Sequence, residues 1–289
     1  MSERSSTWNV EDLSKRGIPT QELINVYDKW GHGGFGVIIT GNIIVDPRNL
    51  EAAGNMIICR ENDSPLLRKA FSRLADAAKQ DGALVIAQLS HAGRQTPVYV
   101  NKYPYSCSDK RLVDGVIKAA QPVPLALDQI KTEVIDRFVY AAKIAYETDE
   151  IFQFRNETSE RFILGIKTNS VEFQPNGLNI DDAKAACSLM EVRARTGRDE
   201  IAPDSLDNCL NFPLFQKSGF DFVELSGGTL EKPAWMHERV SSMNREAFFM
   251  EFAEKVHTNT PQVLFLQDWY NVVIKYRLNP LVKHILQET

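Results

Sequence analysis

The sequence lacks most of the features that mark a metal-dependent, secreted or membrane-spanning protein. Its cysteines form no C-x-x-C pair, so neither a zinc site nor a disulfide framework is indicated. No apolar run approaches the roughly 18 residues of a membrane span, and the first residues contain no apolar signal core. We therefore expect a cytoplasmic protein with reduced thiols and no metal.

Several nucleotide-binding and catalytic motifs are also missing. No G-x-G-x-x-G follows the first predicted strand, and there is no Walker loop, H-E-x-x-H or G-x-S-x-G. The segment "GHGGFG", residues 31–36, precedes a strand, which is typical of a sharp turn rather than of a phosphate loop. The five histidines include no i, i+4 pair that would indicate a metal on one face of a helix.

The composition is that of an ordinary globular protein. The chain has 289 residues, 43% of them hydrophobic and 25% charged. One α/β barrel of about 250 residues fits this length. The net charge of -5 gives no reason to expect nucleic acid or an anionic membrane as a partner. We expect a small-molecule substrate, and the oligomeric state, including a homo-oligomer, stays open.

Helical and strand-like patterns alternate along most of the chain. Continuous apolar strands are typical of a parallel sheet covered by helices. This alternation predicts a parallel α/β fold, either an open doubly wound sheet or a closed barrel. The predicted helices cover about 20–30, 65–81, 127–148, 180–194 and 244–258, and the predicted strands cover 37–40, 83–90, 162–170, 219–228 and 262–267.

Polar residues stand where the predicted strands end, which is where ligands collect in parallel α/β folds. Two amides, Asn42 and Gln88, a lysine, Lys167, and the turn Gly227–Gly228 would suit a flat heterocycle with hydrogen-bonding edges. That pattern favours a flavin over a metal. Taken singly, Asn42 could instead close a turn, Gln88 could cap strand backbone, and Lys167 could be solvated.

Five blocks of sequence resemble the old yellow enzyme family, the NADH:flavin oxidoreductases. They follow the family's order within residues 1–250. The resemblance implies a (β/α)8 barrel that carries FMN. NADH or NADPH would reduce the flavin, which would pass hydride to the β-carbon of an activated alkene such as an enone. The blocks are "GGFGVIITGNIIVDP", "AQLSHAGRQ", "PVPLALDQI", "GIKTNSVEFQPNG" and "GFDFVELSGGTLE".

The resemblance also implies roles for particular residues. Asn42 and Gln88 would hydrogen-bond the flavin ring, and Ser2 would be a further flavin contact. Lys167 takes the place of the family's usual arginine, where a cation would stabilise the anionic reduced flavin. Lysine keeps the charge but not the planar fork of arginine. His91 is expected to order its loop, and Arg94 either to rim the cofactor pocket or to pair with a carboxylate.

The sequence departs from the family in three regions. The His-x-x-His or His-x-x-Asn pair that holds the substrate carbonyl should lie near residues 150–160, but "EIFQFRNETSER" has no histidine. The catalytic residues are therefore unassigned. Most of the first strand is absent, and the turns that hold the flavin phosphate are replaced by residues 268–289. With "IFQF" included we count six strands, whereas a closed barrel of this type requires eight.

We therefore predict a single domain over residues 1–289, an apparently incomplete barrel in which 267–289 is a divergent C-terminal segment. For that segment a plain packing helix is favoured over a surface for a partner. The leading hypothesis for function is an FMN-dependent ene-reductase. The alternative is a non-catalytic remnant of the family with weak or no flavin binding, which would act through protein contacts. An unrelated aldolase or synthase barrel would need a Schiff-base lysine or metal cluster, and none is visible.

Overall fold

The computed structural model describes residues 3–113, 117–147, 165–169, 172, 179, 222–231 and 264–267. The chain divides into two compact units, one formed mainly by Met1–Ser159 and the other by Glu160–Glu288. Each unit is described by itself. The single domain over 1–289 stays a prediction.

Two helices of the first unit begin where the sequence predicts. Helix α1 spans Gln21–Gly31, and the side chain of Thr20 caps it by accepting a hydrogen bond from the backbone N–H of Leu23. Helix α2 spans Pro65–Ala78. The hydroxyl of Ser64 caps it by accepting from the N–H of Leu67, so the neighbouring Asp63 is not the cap. Asp63 instead accepts hydrogen bonds from the side chains of Arg68 and Tyr140.

The long helix predicted over 127–148 is confirmed as one helical segment with an irregular turn. Helix α3, Leu127–Ile130, runs into a π-helical turn at Lys131–Ile135 and then into helix α4, Asp136–Glu147. A π turn adds a residue to the helical ladder and rotates the side chains that follow it. The rotation sets which side of α4 meets the rest of the unit, where Ala141 and Ile144 are buried.

The first unit contains a parallel sheet with the order β2-β1-β3. Strand β1 spans Val37–Ile44, β2 spans Met56–Ile57, and β3 spans Leu84–Ser90. Strand β1 is four residues longer than predicted, and the short β2 escaped prediction because two residues show no periodicity. A separate two-stranded parallel sheet, with β4 at Tyr105–Ser106 and β5 at Val123–Pro124, lies between β3 and α3 along the chain.

A β-bulge interrupts the pairing of β1 with β3. Ile39 pairs with Ile86, but the next pair is Asn42 with Gln88, so β1 contains one residue more than β3 over this interval. The hydroxyl of Thr40 accepts from the N–H of Gln88 at 3.0 Å and donates to the carbonyl of Gly41. The bulge therefore has hydrogen-bond partners for the groups that the ladder leaves out.

The bulge changes which face of the sheet the later residues of β1 occupy. Side chains alternate between the two faces of a regular strand, so one inserted residue reverses the alternation. Ile38 before the bulge and Ile43 and Val45 after it all belong to the core that covers one face. Asn42 consequently lies on the opposite face. Buried members of that core include Leu23, Ile24 and Tyr27 of α1, Leu67, Phe71 and Leu74 of α2, and Ala141 and Ile144 of α4.

The second unit contains a three-stranded parallel sheet with the order β6-β7-β8. Strand β6 spans Gly165–Asn169, β7 spans Phe222–Ser226, and β8 spans Leu264–Gln267, each within a predicted strand. The predicted helices at 180–194 and 244–258, the segment "IFQF" and residues 268–289 lie outside the described residues. All pairs between the described strands are parallel, which confirms the α/β class.

Within the described residues, no helix has both the length and the apolar character needed to cross a membrane.

The buried hydroxyl of Tyr27 accepts a hydrogen bond from the N–H of Gly41 in the bulge at 3.0 Å. We expect Tyr27→Phe to lower the free energy of unfolding by about 1 to 3 kcal/mol, because it leaves a buried N–H without a partner. Urea denaturation measures the change. The matched control is Tyr99→Phe, since Tyr99 is 63% exposed and should tolerate the same deletion within about 0.5 kcal/mol. Equal effects of the two substitutions would contradict the role given to Tyr27.

Candidate functional site

The structure brings Asn42 and Gln88 together in the first unit. Their Cα atoms are partners across β1 and β3, and Nε2 of Gln88 donates to Oδ1 of Asn42 at 2.6 Å. Both side chains are partly buried. The predicted strand 83–90 already contained Gln88, which lies inside β3. Asn42 was placed just beyond its predicted strand but lies inside β1, because pairing resumes after the bulge.

The face that carries this amide pair is the one turned away from the helical core. Val85 of β3 is buried in that core, and Ala87 and Leu89 pack against it. Gln88 alternates with these residues and so lies on the other face, as Asn42 does. The preceding pair on the same face, Ile39 and Ile86, is partly buried and apolar. The face thus combines an apolar surface with two amides.

A carboxylate that sequence reasoning missed completes the amide pair. Nδ2 of Asn42 donates to Oε2 of Glu51, which is nine residues further along the chain. The Glu51 side chain is 19% exposed, and its Oε1 accepts from Nη2 of Arg4 at 3.2 Å. A single glutamate in a loop carries no motif, so nothing in the sequence indicated this contact.

His91 orders the loop after β3, as expected. Its Nδ1 accepts a hydrogen bond from the N–H of Gly93 at 3.1 Å, and its Nε2 is 3.1 Å from Nδ2 of Asn49. Burial lowers the pKa of His91 below its ordinary value, although the charge of Asp46 opposes the shift. The imidazole is therefore neutral near pH 7. Arg94 lies in the 3-10 turn Gly93–Gln95, and its role at the pocket rim stays a prediction.

A charged cluster follows the carboxyl end of β1, and the sequence analysis did not identify it. Arg48 donates to both carboxylate oxygens of Asp46 at 2.9 Å and to Glu133 at 2.5 Å. Arg137 makes a bidentate pair with Glu61, at 2.9 and 3.2 Å. These contacts attach the loops after β1 and β2 to the helical segment that ends in α4.

Asp46 is the buried centre of that cluster, with a side chain that is 0% exposed. Burial raises the pKa of Asp46, but the hydrogen bonds from Arg48 and the charge of Arg137 outweigh burial and hold the pKa below its ordinary value. Asp46 therefore stays ionised at neutral pH. An ionised carboxylate with these partners fixes the loop and is not available as a general acid.

In the second unit, Lys167 of β6 lies beside Glu224 of β7. Their Cα atoms are register partners, and Nζ of Lys167 donates to Oε1 of Glu224 at 2.8 Å. The side chains are 33% and 10% exposed. Close by, Nδ2 of Asn169 donates to the carbonyl of Gly228 at 3.0 Å, which connects β6 to the predicted Gly-Gly turn. Glu224 is a further residue that sequence reasoning missed.

Two predictions about the site fall outside the described residues. Ser2, the proposed additional flavin contact, is one of them. The segment at 150–161, where the family's histidine pair would lie, is the other. Among the residues that the structure does describe, no group of three or more histidine, cysteine or acidic side chains is arranged to hold a metal ion.

The fold and the amide pair together define a class of protein. It is a parallel α/β protein in which an amide pair stands on an apolar sheet face near the carboxyl ends of two strands. Ligand sites of such folds occupy this end of the sheet, and amides that donate and accept suit a polar heterocycle.

Comparison with known proteins gives the family. The NADH-dependent flavin oxidoreductase nadA of Aspergillus parasiticus is 33% identical over 89% of this chain and 62% of its own length. The NADH-dependent flavin oxidoreductase iliE of Hypocrea jecorina is 27% identical over 89% of this chain and 73% of its own length. The chain belongs to this family of NADH-dependent flavin oxidoreductases, the old yellow enzyme family whose sequence blocks it shares.

A solved structure is also similar to this chain. A solved 2-naphthoyl-CoA reductase in complex with 2-naphthoyl-CoA aligns with a TM-score of 0.64 over 92% of this chain and 44% of its own. At 13% identity that likeness concerns the fold alone. No family model matches the chain. The chain thus spans about three fifths of the length of the first relative, nadA, and less than half of the reductase structure.

The lowered pKa of His91 makes stability depend on pH. Between the ordinary value of about 6.5 and the lower pKa of the folded state, the unfolded chain binds more protons, so stability falls as pH falls through this window. We expect His91→Asn to reduce that fall, because asparagine does not titrate and accepts from the N–H two residues on. Urea midpoints at a series of pH values between about 7 and 5 measure it. Parallel profiles for the variant and the original chain would refute the assignment.

Proposed function

We propose that the chain is an FMN-dependent oxidoreductase of the old yellow enzyme type. Hydride would come from NADH or NADPH and go to the C=C bond of an activated alkene such as an enone. The names of the relatives support a flavin and NADH as the donor. The observation that carries the proposal is the Asn42–Gln88 amide pair on the face of the first unit's sheet that is turned away from the helical core.

The chemistry of this face fits a flavin ring. An isoalloxazine has a flat apolar body and one edge rich in carbonyl and N–H groups. Ile39 and Ile86 offer apolar surface for the body, and Gln88 offers an amide for the polar edge. A divalent metal would prefer several oxygen ligands instead. Here the nearby carboxylate, Glu51, is already engaged by Asn42 and Arg4.

Lys167 supports the proposal through charge. When bound, FMN would supply the capacity to take up a hydride and give it away. Negative charge develops on the ring when it is reduced, and a lysine ammonium beside it would favour that charge. Glu224 shares the ammonium, which moderates its effect and holds it in one orientation. Ser2 is proposed as an additional contact through the family resemblance.

A (β/α)8 barrel is the architecture that we propose for the whole chain. In each unit the described residues include a three-stranded parallel sheet, which is what a segment of such a barrel contains. The likeness to the 2-naphthoyl-CoA reductase supports a related fold. We propose that the barrel departs from the family in its fourth-strand region, where residues 150–161 contain no histidine. The substrate-holding pair is consequently unassigned.

The first test is flavin binding by the purified chain. We expect a bound-flavin absorption band near one equivalent, directly or after reconstitution with FMN. Gln88→Leu should weaken FMN binding about tenfold, since one buried hydrogen bond is lost. The matched control is Gln80→Leu, because the Gln80 amide donates to the Asp76 carbonyl at the exposed end of α2. A colourless chain that cannot be reconstituted would instead favour the non-catalytic remnant.

The second test concerns Lys167 and follows flavin reduction by NADH in stopped-flow absorbance. We expect Lys167→Gln to slow reduction about tenfold, less than the hundredfold typical of an unshielded donor, because Glu224 already shares the charge. Lys167→Gln keeps an N–H donor for Glu224, so folding should survive. Lys167→Arg retains the cation and should restore most of the rate. If Lys167→Gln reduces as fast as the original chain, the proposed role of Lys167 is wrong.

A further inference from the structure

We infer that Glu51 is a positioning residue that fixes the direction in which Asn42 and Gln88 present their donors and acceptors. The inference deepens the proposed function and rests on it for the identity of the ligand. Its structural basis is a hydrogen-bonded chain of three side chains that runs from Glu51 through Asn42 to Gln88.

The first link sets the direction of Asn42. A side-chain amide has a carbonyl oxygen that accepts and an NH2 group that donates, and the two are nearly equal in shape. An ionised carboxylate accepts only. Asn42 must therefore turn Nδ2 toward Glu51, and this orientation is the one that the structure has.

The second link transfers that direction to Gln88. With Nδ2 on Glu51, the Oδ1 of Asn42 points across the sheet to β3. It accepts from Nε2 of Gln88 at 2.6 Å. The Oε1 of Gln88 is the last group of this hydrogen-bonded series, and no described residue donates to it. The amide pair thus presents an acceptor to a ligand.

The geometry around the chain keeps this arrangement in place. The bulge in β1 puts Asn42 directly opposite Gln88, so the two amides stay within hydrogen-bond reach of each other. Without an acceptor-only group at position 51, both amides could turn over together and exchange donor for acceptor. Glu51 therefore determines which ligand edge Gln88 accepts, although Asn42 and Gln88 stand between Glu51 and the ligand.

An outward acceptor selects a ligand with an N–H at its edge. The oxidised isoalloxazine ring has a single ring N–H, the imide N3–H between two carbonyl groups. A flavin methylated at N3 has lost that donor. The ratio of the affinities for FMN and N3-methyl-FMN therefore reports whether Gln88 presents its acceptor to the ligand. A purely structural role of Glu51 would not change this ratio.

The first experiment uses the full chain without flavin. Side-chain amide signals of Asn42 and Gln88 are recorded by ¹H–¹⁵N NMR for the original chain and for Glu51→Gln and Glu51→Ala. We expect the Gln88 signals to shift or split in both variants, although Gln88 does not contact Glu51. The matched control, Arg4→Ala, removes a contact to Oε1 of Glu51, the oxygen that does not bind Asn42, and should leave the Gln88 signals in place. Unchanged Gln88 signals in both Glu51 variants would overturn the inference.

The second experiment measures dissociation constants for FMN and N3-methyl-FMN. We expect the original chain and Arg4→Ala to prefer FMN about tenfold, and Glu51→Gln to lose most of that preference. If Glu51→Gln prefers FMN over N3-methyl-FMN as strongly as the original chain does, the role given to Glu51 is wrong and the proposed function still stands. If neither flavin binds the original chain, the proposed function fails, and the NMR experiment alone decides the role of Glu51.

Discussion

The register shift between β1 and β3 is the constraint on which the first unit depends. The bulge at Thr40 and Gly41 gives β1 one residue more than β3. Residues before and after the bulge can therefore join one core, namely Ile38, Ile43 and Val45, while Asn42 faces away from it. An uninterrupted strand would turn Asn42 toward the helices. A buried amide without partners there would cost more than the bulge does. The local irregularity therefore makes core and site compatible in one strand.

Charge is arranged differently in the two units. Around Asp46, arginines and carboxylates compensate one another and attach a loop to the helical segment that follows. Removing one partner of such a cluster would leave a buried charge, so its members are constrained by each other. At Lys167 one ammonium meets one carboxylate on adjacent parallel strands. The first arrangement is structural, and the second holds a partly exposed cation in the middle of β6.

The sequence predicted the α-helices because they are long and strongly periodic, and the main strands because they are continuous apolar runs. The cap of α1 and the first turn of α2 follow from Thr20, Ser64 and Pro65. Asn42 was placed beyond its strand because a bulge leaves no simple periodic signal. Glu51 and Glu224 were missed for a different reason. Their contacts depend on tertiary placement, and an isolated carboxylate in a loop or strand has no pattern that indicates a partner.

The hydroxyl of Tyr27 connects helix packing to the binding face. It comes from the buried side of α1 and accepts the N–H of Gly41, the residue next to Asn42. The group that completes the bulge therefore arrives only when α1 docks on the sheet. Packing of α1 and completion of the bulge beside the amide pair are therefore linked, and we expect a change that loosens α1 to disturb the strand at Asn42 as well as the core.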